Sequence, residues 1–482
     1  IKLLKIGFDN MNKDILKDKK HIHFIGIGGS GMYPLAQILH SQGYYLTGSD
    51  NNETETLEAV RKMGIPVFMG QRAENIEGAD LIVHTAAIMA DNPELIAAKA
   101  SNAPVLERSE LLGIVTGWYD NAICVSGTHG KTTTTSMITQ ILFTAGVDLS
   151  AFIGGKLPCI GGSGRAGKSD IMVCEACEFV DTFLKLYPDV AVILNIDEDH
   201  LDYFKNLENI IKSFRKFSEM ATKALIINGD DANTLKAVDG ITGKEFITFG
   251  LDSKNDYYAA DIKKISGMET EYTLMYKGKA LGKINLHVAG VHNILNSLAA
   301  AAASFYANVS FESIQKGLSD FRGAGRRFEL IGKEKGITIV DDYAHHPTEL
   351  SVTLKAAMDM GYNKVWAVFQ PFTFSRTAIL LDDFAKALSI PDNAVLTDIM
   401  GSREKNTYNI YTRNLAEKID GCIYFPQDEN AEYTDERKYE NFGQVCDYIC
   451  ENANDGDLII TLGCGDVYKV AKMIYKKLKG QE

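Results

Sequence analysis

The sequence predicts an α/β protein of three domains, each built on a largely parallel sheet with helices on both faces. Its 482 residues are more than one hydrophobic core organises. Short apolar runs alternate with helical patterns along nearly the whole chain, which is typical of parallel sheets covered by helices. A strand–loop–helix pattern restarts near positions 22, 122 and 337. We therefore predict domains at 1–118, 119–325 and 326–482.

The predicted strands are apolar runs that end in glycine or a polar residue. In chain order they span 21–27, 45–50, 81–87, 122–127, 171–176, 190–197, 224–229, 337–343, 365–371, 394–399 and 458–463. Helical patterns such as 31–43 and 208–221 separate many of them. The stretch 245–288 interrupts this alternation and predicts antiparallel strands added to the central sheet.

Composition favours a soluble enzyme that binds small molecules. The chain is 45% hydrophobic and 23% charged. Its net charge of −13 argues against nucleic acid or an anionic membrane as the main partner, because neither attracts an acidic surface. The alanine-rich run from Leu298 is too short to span a bilayer, and the charged stretch 1–20 lacks a signal-peptide pattern. We expect a cytoplasmic protein.

The eight cysteines are scattered along the chain, which favours reduced thiols over a disulfide framework. Cys174 and Cys177 form a C-x-x-C pair. No second such pair or neighbouring histidine pair completes a zinc site, so we expect no metal or redox function there.

A glycine-rich stretch, HFIGIGGSGM at 23–32, follows the first predicted strand. Gly26, Gly28 and Gly31 have the G-x-G-x-x-G spacing of a dinucleotide-binding turn, a helical pattern begins at Met32, and Asp50 follows at about the expected distance. Such glycines let the backbone approach a pyrophosphate at a helix N-terminus. The pattern alone fits NAD and also other ligands with two phosphates.

The strongest single motif is GTHGKT at 127–132, which lies between an apolar strand and a helix. Backbone N–H groups of such a loop cradle phosphates. Lys131 is placed to neutralise the β- and γ-phosphates, and the Thr132 hydroxyl to bind Mg²⁺. The first glycine of the usual pattern is absent, since position 125 is Val.

Acidic and imidazole groups follow the next two predicted strands. Glu175 ends one strand, and Asn195, Asp199, His200 and Asp202 follow the other. Oxygen ligands in a near-octahedral shell suit a nucleotide-bound Mg²⁺. Each residue alone fits a helix cap or a surface position equally well, so the metal hypothesis depends on their combination with the phosphate loop.

Two adjacent arginines, Arg326 and Arg327, lie at the predicted boundary near 325. An arginine that reaches a γ-phosphate is a known catalytic device, and a solvated pair in a linker is the alternative. The residues favour neither interpretation.

A cluster of titratable residues follows the strand near 337: Asp341, Asp342, His345, His346 and Glu349. Acid–base chemistry or metal binding is one interpretation. Helix capping by Thr348 after Pro347 explains part of the stretch, but the paired histidines exceed what capping needs.

Seven motifs together resemble the Mur ligases of peptidoglycan synthesis. In chain order they are GIGGSGM, GTHGKTTTT, NIDEDHLDYF, GVHNILNSLAA, GAGRRFE, DDYAHHPTE and TDIMGSREKN. The resemblance implies a Rossmann-like N-terminal domain that binds a UDP-sugar, a central P-loop ATPase-type domain, and a C-terminal Rossmann-like domain that brings the amino acid. It implies ATP- and Mg²⁺-dependent joining of L-alanine to the lactyl carboxylate of UDP-N-acetylmuramate through an acyl phosphate, by a monomer or homodimer.

The resemblance also assigns residues. Metal contacts fall on Thr132, Glu175 and His200. Nucleotide contacts fall on Gly127, Thr128, His129, Gly130, Lys131, Thr132, Thr133, His292, Asn293, Asn296, Arg327 and Asp342, with Asn296 at the adenine. Substrate contacts fall on Gly28, Gly29, Ser30, Gly31, Met32, Asp50, His345 and Arg376, with Asp50 near the uridine and Arg376 near the amino acid. Catalytic roles fall on Lys131, His200, Arg327, Arg376 and His345.

The sequence departs from the family pattern at two places. Phe372 and Thr373 stand where members have a histidine and, in some, an arginine, so polar groups near the expected alanine pocket are lost. Cys177 stands where the family has an aspartate, although Glu175 and Glu178 remain.

Three other functions stay open from the sequence. A sister ligase that adds a recycled peptide to the same UDP-sugar shares the ATPase core. An NAD-linked oxidoreductase explains 22–50 but gives the GTHGKT loop no role. A catalytically inactive homologue is suggested only by Phe372 and Cys177.

Overall fold

The computed structural model describes residues 15–401, 404–426 and 440–481 and contains three sheets. The chain forms two compact units: one holds the first two sheets with their helices, and the second begins its main segment at Arg322. The three-sheet α/β architecture predicted from the sequence is confirmed. The domain limits at 118 and 325 stay predictions.

The first sheet has five parallel strands in the order β3-β2-β1-β4-β5. Its elements are β1 His21–Ile25, α1 Tyr33–Ser41, β2 Tyr45–Asp50, α2 Glu55–Lys62, β3 Val67–Met69, β4 Leu81–His84, α3 Pro93–Ala100, β5 Val105–Glu107 and α4 Arg108–Thr116. The strand order reverses at β1. The loop after β1 therefore opens at the switch point, where α/β sheets bind their ligands.

The second sheet has ten strands in the order β15-β14-β13-β12-β11-β10-β6-β9-β7-β8. Its first elements are β6 Asn121–Ser126, α5 Lys131–Thr144, β7 Ser150–Leu157, β8 Gly162–Arg165, β9 Ile171–Glu175, β10 Val190–Ile193, α6 Leu201–Phe204, α7 Leu207–Met220, β11 Ala224–Asn228 and α8 Ala232–Val238. The remaining ones are β12 Glu245–Gly250, β13 Tyr257–Lys264, β14 Thr270–Tyr276, β15 Lys279–Leu286, α9 Val291–Tyr306 and α10 Phe311–Asp320. Strand β6 lies between β9 and β10, so residues that follow these three parallel strands meet at one edge.

The prediction of antiparallel strands over 245–288 is wrong for its first part. Strand β12 pairs in parallel with both β11 and β13. Strands β14 and β15 are neighbours joined by only two residues, Lys277 and Gly278, both with positive φ. Such a turn connects antiparallel strands, so the antiparallel addition begins beyond β13.

The third sheet has six strands in the order β16-β17-β21-β18-β19-β20. Its elements are β16 Glu329–Glu334, β17 Ile337–Asp342, α11 Pro347–Met358, β18 Val365–Phe369, α12 Phe374–Ile379, α13 Leu381–Leu388, β19 Asn393–Leu396, α14 Thr412–Ala416, β20 Ile423–Tyr424, α15 Glu440–Asn452, β21 Leu458–Leu462 and α16 Tyr468–Leu478. Strand β16 is antiparallel to β17 and the others are parallel. The carboxyl ends of β17, β18 and β21 therefore meet at one edge.

The alanine-rich run is a buried helix segment, as predicted. Residues 299–303 of α9 are all fully buried, and the helix packs against α5. Alanine side chains allow this close approach at little cost in conformational entropy. Within the described residues, no helix has the length and apolarity to cross a membrane.

Candidate functional site: two glycine loops and an arginine-rich strand edge

The glycine-rich loop after β1 is a tight turn followed by a helix start. Gly26 has φ +84°, which L side chains rarely adopt. Its carbonyl accepts a hydrogen bond from the Gly29 amide at 3.2 Å. Met32 is the N-cap of α1, so the helix begins one residue later than predicted. The loop therefore presents Gly29 and Ser30 as exposed backbone beyond the strand end.

Asp50 binds this loop directly. Its Oδ2 accepts a hydrogen bond from the Gly28 amide at 2.9 Å, and its Oδ1 accepts one from the Asn52 amide at 3.0 Å. In this structure Asp50 fixes the shape of the loop. Its expected contact with a uridine stays a prediction.

The second glycine loop follows β6 and starts α5. Gly130 is the N-cap of α5 with φ +88°, and a Cβ there would lie 2.5 Å from the Asn296 side-chain oxygen. Only glycine tolerates both conditions. The Lys131, Thr132 and Thr133 amides form the first turn of α5, where N–H groups have no intrahelical acceptor. The loop has the backbone geometry of a phosphate cradle.

Asn195, which follows β10, holds the loop in this shape. Its Oδ1 accepts a hydrogen bond from the His129 amide at 2.9 Å, and its Nδ2 donates one to the His129 carbonyl at 3.0 Å. Its own carbonyl accepts a bond from the Thr128 amide at 3.1 Å. Asn195 was predicted only as a polar residue near a strand end, and here it is a brace of the loop.

Lys131 reaches across the loop to an acidic partner. Its ammonium donates to the Gly127 carbonyl at 2.6 Å and lies 2.9–3.0 Å from both carboxylate oxygens of Glu178. Burial works to lower the pKa of Lys131, but Glu178 and its acidic neighbours raise it above its ordinary value. The lysine is therefore a fixed positive charge beside the phosphate loop.

Glu175 is held in place by two donors. The Thr132 hydroxyl donates to its Oε1 at 3.0 Å, and the Gly154 amide of β7 donates to its Oε2 at 2.9 Å. A Cβ on Gly154 would lie 2.7 Å from both carboxylate oxygens. The predicted neighbours Thr132 and Glu175 therefore do meet, and Gly154, which the sequence did not single out, positions the carboxylate.

His200 belongs to a different cluster from Glu175. Ligand atoms of Glu178, Asp199 and His200 all lie within 4.8 Å of one another. The Phe179 ring is 4.6 Å from the imidazole, centroid to centroid. Oxygen and imidazole donors at this separation suit a divalent cation. The predicted metal set of Thr132, Glu175 and His200 lacked Glu178, although a second glutamate three residues after Glu175 was a usable signal for a metal ligand. The side chain of Asp202 lies outside the described residues.

The start of α9 lies beside the phosphate loop. Asn296 is buried and donates to the Asn293 side-chain oxygen at 3.1 Å. Burial, together with the nearby His129, lowers the pKa of His292. These three residues, predicted to contact a nucleotide, are thus gathered at the same loop.

The two adjacent arginines of the second unit differ in surroundings. Arg326 donates to Asp341 Oδ2 at 2.9 Å, to the Gly465 carbonyl at 2.9 Å and to the Gly463 carbonyl. Its guanidinium also lies over the Tyr343 ring at 5.0 Å from the centroid. Arg326 is therefore committed to joining the ends of β17 and β21. These contacts occupy its guanidinium donors, so the geometry favours a structural role for Arg326.

Arg327 lies beside a buried carboxylate instead. Asp342 accepts hydrogen bonds from the Phe328 and Ala344 amides, each at 2.8 Å. Burial raises the pKa of Asp342 to about 6, while the positive charge of Arg327 works in the opposite direction. The guanidinium of Arg327 lies 5.2 Å from the centroid of the Tyr343 ring.

His345 and Arg376 lie near Arg327. Burial lowers the pKa of His345; the Glu349 carboxylate, 3.3 Å from Nδ1, opposes this, and Arg376 and Arg327 reinforce it. Nδ1 lies 3.0 Å from the Tyr343 carbonyl, which can only accept, so the proton is assigned to Nδ1 and the lone pair to Nε2. Arg376 Nη1 is buried and has no hydrogen-bond acceptor among the described residues.

Two details of this edge correct or extend the sequence interpretation. The N-cap of α11 is His346, whose Nδ1 accepts from the Thr348 amide at 3.4 Å, so the prediction of capping by Thr348 is wrong. Thr373 has φ +65° immediately before α12, and its amide donates to the Met400 carbonyl at 3.0 Å. Phe372 forms an isolated β-bridge with Met400. An apolar residue thus stands at the position where the sequence departs from the family pattern.

Three features define a nucleotide-dependent enzyme of the α/β class. They are a glycine loop at a sheet switch point, a second glycine loop with a partly buried lysine and acidic neighbours, and an arginine-rich strand edge. Family models match three consecutive segments: Mur ligase family, catalytic domain, at 21–117; Mur ligase middle domain at 125–304; and Mur ligase, glutamate ligase domain, at 326–465. The chain belongs to the Mur ligase family.

Named relatives resemble the chain over nearly its whole length. The UDP-N-acetylmuramate–L-alanine ligase of Acetivibrio thermocellus is 45% identical, covering 95% of this chain and 96% of the relative. The enzyme of that name from Agathobacter rectalis is 44% identical, covering 95% and 98%. The crystal structure of UDP-N-acetylmuramate-alanine ligase from Thermotoga maritima is 27% identical with a TM-score of 0.78, covering 96% and 99%.

Proposed function

We propose that this chain joins L-alanine to the lactyl carboxylate of UDP-N-acetylmuramate at the expense of ATP. The observation that carries the proposal is the 40–45% identity, over at least 94% of the chain, to relatives named UDP-N-acetylmuramate–L-alanine ligase. The loop after β6, with its partly buried lysine and hydrogen-bonded threonine–glutamate pair, supports an ATP site. Formation of an acyl phosphate and its attack by the amine account for the amide product.

The ATP phosphates are assigned to the loop Gly127, Thr128, His129, Gly130, Lys131, Thr132 and Thr133, and the base to the start of α9 at His292, Asn293 and Asn296. The helix N-terminus and the lysine charge favour an anion there. Asn195 holds the loop in shape before any ligand arrives, so little reorganisation is needed on binding.

Mg²⁺ fits the donor sets around this loop. Thr132 with Glu175 offers two oxygen ligands, and Glu178, Asp199 and His200 form a second group. A bound Mg²⁺ would neutralise phosphate charge as the carboxylate attacks. Asn195 and Gly154 keep the loop and Glu175 in position, and Lys131 holds positive charge throughout.

For amide formation we assign proton transfer and charge stabilisation to the second unit. His345 is kept neutral by its lowered pKa and carries its lone pair on Nε2, so it can accept a proton from the alanine ammonium. The buried, unpaired Nη1 of Arg376 suits a carboxylate of the amino acid. The positive charge of Arg327 would stabilise the anionic reactants. Asp342 holds the backbone next to Arg327 by accepting a hydrogen bond from the Phe328 amide.

The UDP-sugar is assigned to the loop after β1, at Gly28, Gly29, Ser30, Gly31 and Met32. Its backbone lies at the switch point of the first sheet and at the N-terminus of α1. The bond from the Gly28 amide to Asp50 keeps this loop in its tight form.

The direct test supplies purified protein with ATP, Mg²⁺ and UDP-N-acetylmuramate, then single amino acids or a tripeptide, and measures phosphate release. Release with L-alanine is expected. Release with the tripeptide but not with L-alanine would overturn the proposal in favour of a peptide-recycling ligase. Lys131→Ala should abolish release, and unchanged activity in that variant contradicts the assigned ATP site. Binding of NADH but not UDP by the protein would indicate an oxidoreductase instead.

A further inference from the structure

We propose that Arg108 binds an anionic group of the UDP-sugar, together with the backbone amides of Ser30 and Gly31. This inference rests on the proposed function, because it concerns the same substrate. The sequence did not single out Arg108, since it belongs to no glycine or acidic motif. It became visible only from its position against the loop after β1.

Arg108 is the first residue of α4, and the backbone there is rigidly fixed. The Glu107 side chain caps the helix by accepting from the Ser109 amide at 2.8 Å, and the Glu110 side chain accepts from the Glu107 amide at 2.8 Å. A capping box of this kind sets the direction of the first helical residue. The Arg108 side chain therefore extends from a backbone position that the capping box fixes.

The Arg108 side chain lies on Gly31 of the loop. A Cβ on Gly31 would be 3.1 Å from Arg108 Cδ and 3.3 Å from its Nη1. Gly31 has no positive φ among the recorded glycines, so backbone strain does not explain the residue. The missing side chain instead makes room for the guanidinium. The third glycine of the G-x-G-x-x-G motif thus lets the Arg108 guanidinium pack against the loop.

The positive charge of Arg108 has no acidic partner in the described part of the chain, nor does its guanidinium hydrogen-bond there. Its sequence neighbour Glu107 faces Lys185 instead, with 3.6 Å between Nζ and Oε2. Apart from Gly31, the guanidinium faces the Phe152 ring, whose centroid is 6.0 Å from the guanidinium carbon. A partly buried arginine without a counter-ion is costly unless it serves a ligand.

Two backbone donors are available beside Arg108. The Gly26 and Ile27 amides bond to the Ser49 carbonyl, and other amides of the turn are also paired. The Ser30 and Gly31 amides have no acceptor in residues 15–401, 404–426 or 440–481. Two free N–H groups and a guanidinium in contact with Gly31 make a seat for an anion with several oxygens.

The substrate offers two such anions, its diphosphate and its lactyl carboxylate. The shared chemistry is an anionic group with oxygens in a plane or a tetrahedron, which arginine binds through paired N–H donors. The Phe152 ring that the Arg108 guanidinium faces belongs to β7. Arg108 therefore lies between the loop after β1 and β7, within the same compact unit.

The test measures binding of UDP, UDP-N-acetylglucosamine and UDP-N-acetylmuramate to the full-length protein by calorimetry, for the wild type, Arg108→Gln and Arg108→Lys. Arg108→Gln should weaken binding by about 10- to 100-fold, the value of a charge-assisted hydrogen bond. Arg108→Lys should recover part of the loss. Equal loss for all three probes assigns the diphosphate; a loss only with UDP-N-acetylmuramate assigns the carboxylate. Both results support the proposal.

The control is Lys99→Gln, which removes the same charge from an exposed position on α3, a helix of the same first sheet. Unchanged affinity of Arg108→Gln for all three probes, or an equal loss in Lys99→Gln, would overturn the proposal. A thermal unfolding curve identifies any variant that fails to fold, and Arg108→Lys then decides. If the wild type binds no UDP compound, the proposed function fails, which is a different outcome from a wild type that binds and a variant that binds equally well.

Discussion

Gly154→Ala is expected to damage cation binding while leaving the fold intact. The new methyl group would start 2.7 Å from both oxygens of Glu175 and 2.9 Å from its carboxyl carbon. These atoms form the end of a flexible side chain, so the carboxylate moves and the backbone stays. The move breaks the 2.9 Å bond from the Gly154 amide and disturbs the 3.0 Å bond from Thr132.

The size of the effect follows from the lost bond. A hydrogen bond to a charged group contributes about 1.5–3 kcal/mol. A loss of about 2 kcal/mol corresponds to roughly 30-fold weaker binding of the cation that Glu175 ligates. The free energy of unfolding should fall by no more than about 2 kcal/mol, the contribution of that bond, because no backbone atom is displaced.

The assay titrates Mn²⁺ into protein with ATP and follows free Mn²⁺ by electron paramagnetic resonance, alongside urea unfolding. Gly443→Ala is the matched control: it adds the same methyl group in open space on helix α15 and should leave Mn²⁺ affinity unchanged. Unaltered Mn²⁺ affinity in a folded Gly154→Ala variant would refute the claim that Gly154 positions Glu175.

Three further outcomes are expected. Arg326→Lys should lower the free energy of unfolding by about 3 kcal/mol, because it leaves the buried carboxylate of Asp341 poorly paired. Arg327→Lys should unfold in urea like the wild type but lose phosphate release. Similar unfolding of both variants would contradict the separation of their roles. Glu178→Gln removes the charge that raises the pKa of Lys131 and also removes one ligand of the cluster of Glu178, Asp199 and His200. Mn²⁺ binding in the presence of ATP should therefore weaken about tenfold. An unchanged Mn²⁺ titration would exclude Glu178 from the cation site. Burial raises the pKa of Asp342 to about 6, so between pH 4 and 6 the folded chain keeps a proton that the unfolded chain has released. Stability should therefore fall by about 2 kcal/mol as pH rises from 4 to 6. Asp342→Asn should flatten that slope in urea unfolding, while an equal slope in both proteins would contradict the shift.

The sequence by itself determined the class of fold and the location of the two glycine loops. Apolar runs that end in glycine or a polar residue place strands and turns locally, and each strand predicted from such a run is present within a few residues. The turn immediately before α5 needs a left-handed residue, with φ +88°, and the sequence supplies Gly130 there, which is a local requirement. Parallel pairing at β12 was missed, since the same short apolar pattern fits either direction.

Only the tertiary structure decided what individual charged residues do. Arg326 and Arg327 are indistinguishable in sequence, yet Arg326 is occupied by carbonyls of residues 463–465, far along the chain. Glu178 faces Lys131 across 47 positions, and Arg108, at the start of α4, meets Gly31, which lies before α1. The reason is physical: a charge is fixed by the atoms that surround it in space, and long-range pairing of strands brings those atoms together in ways that local pattern does not record.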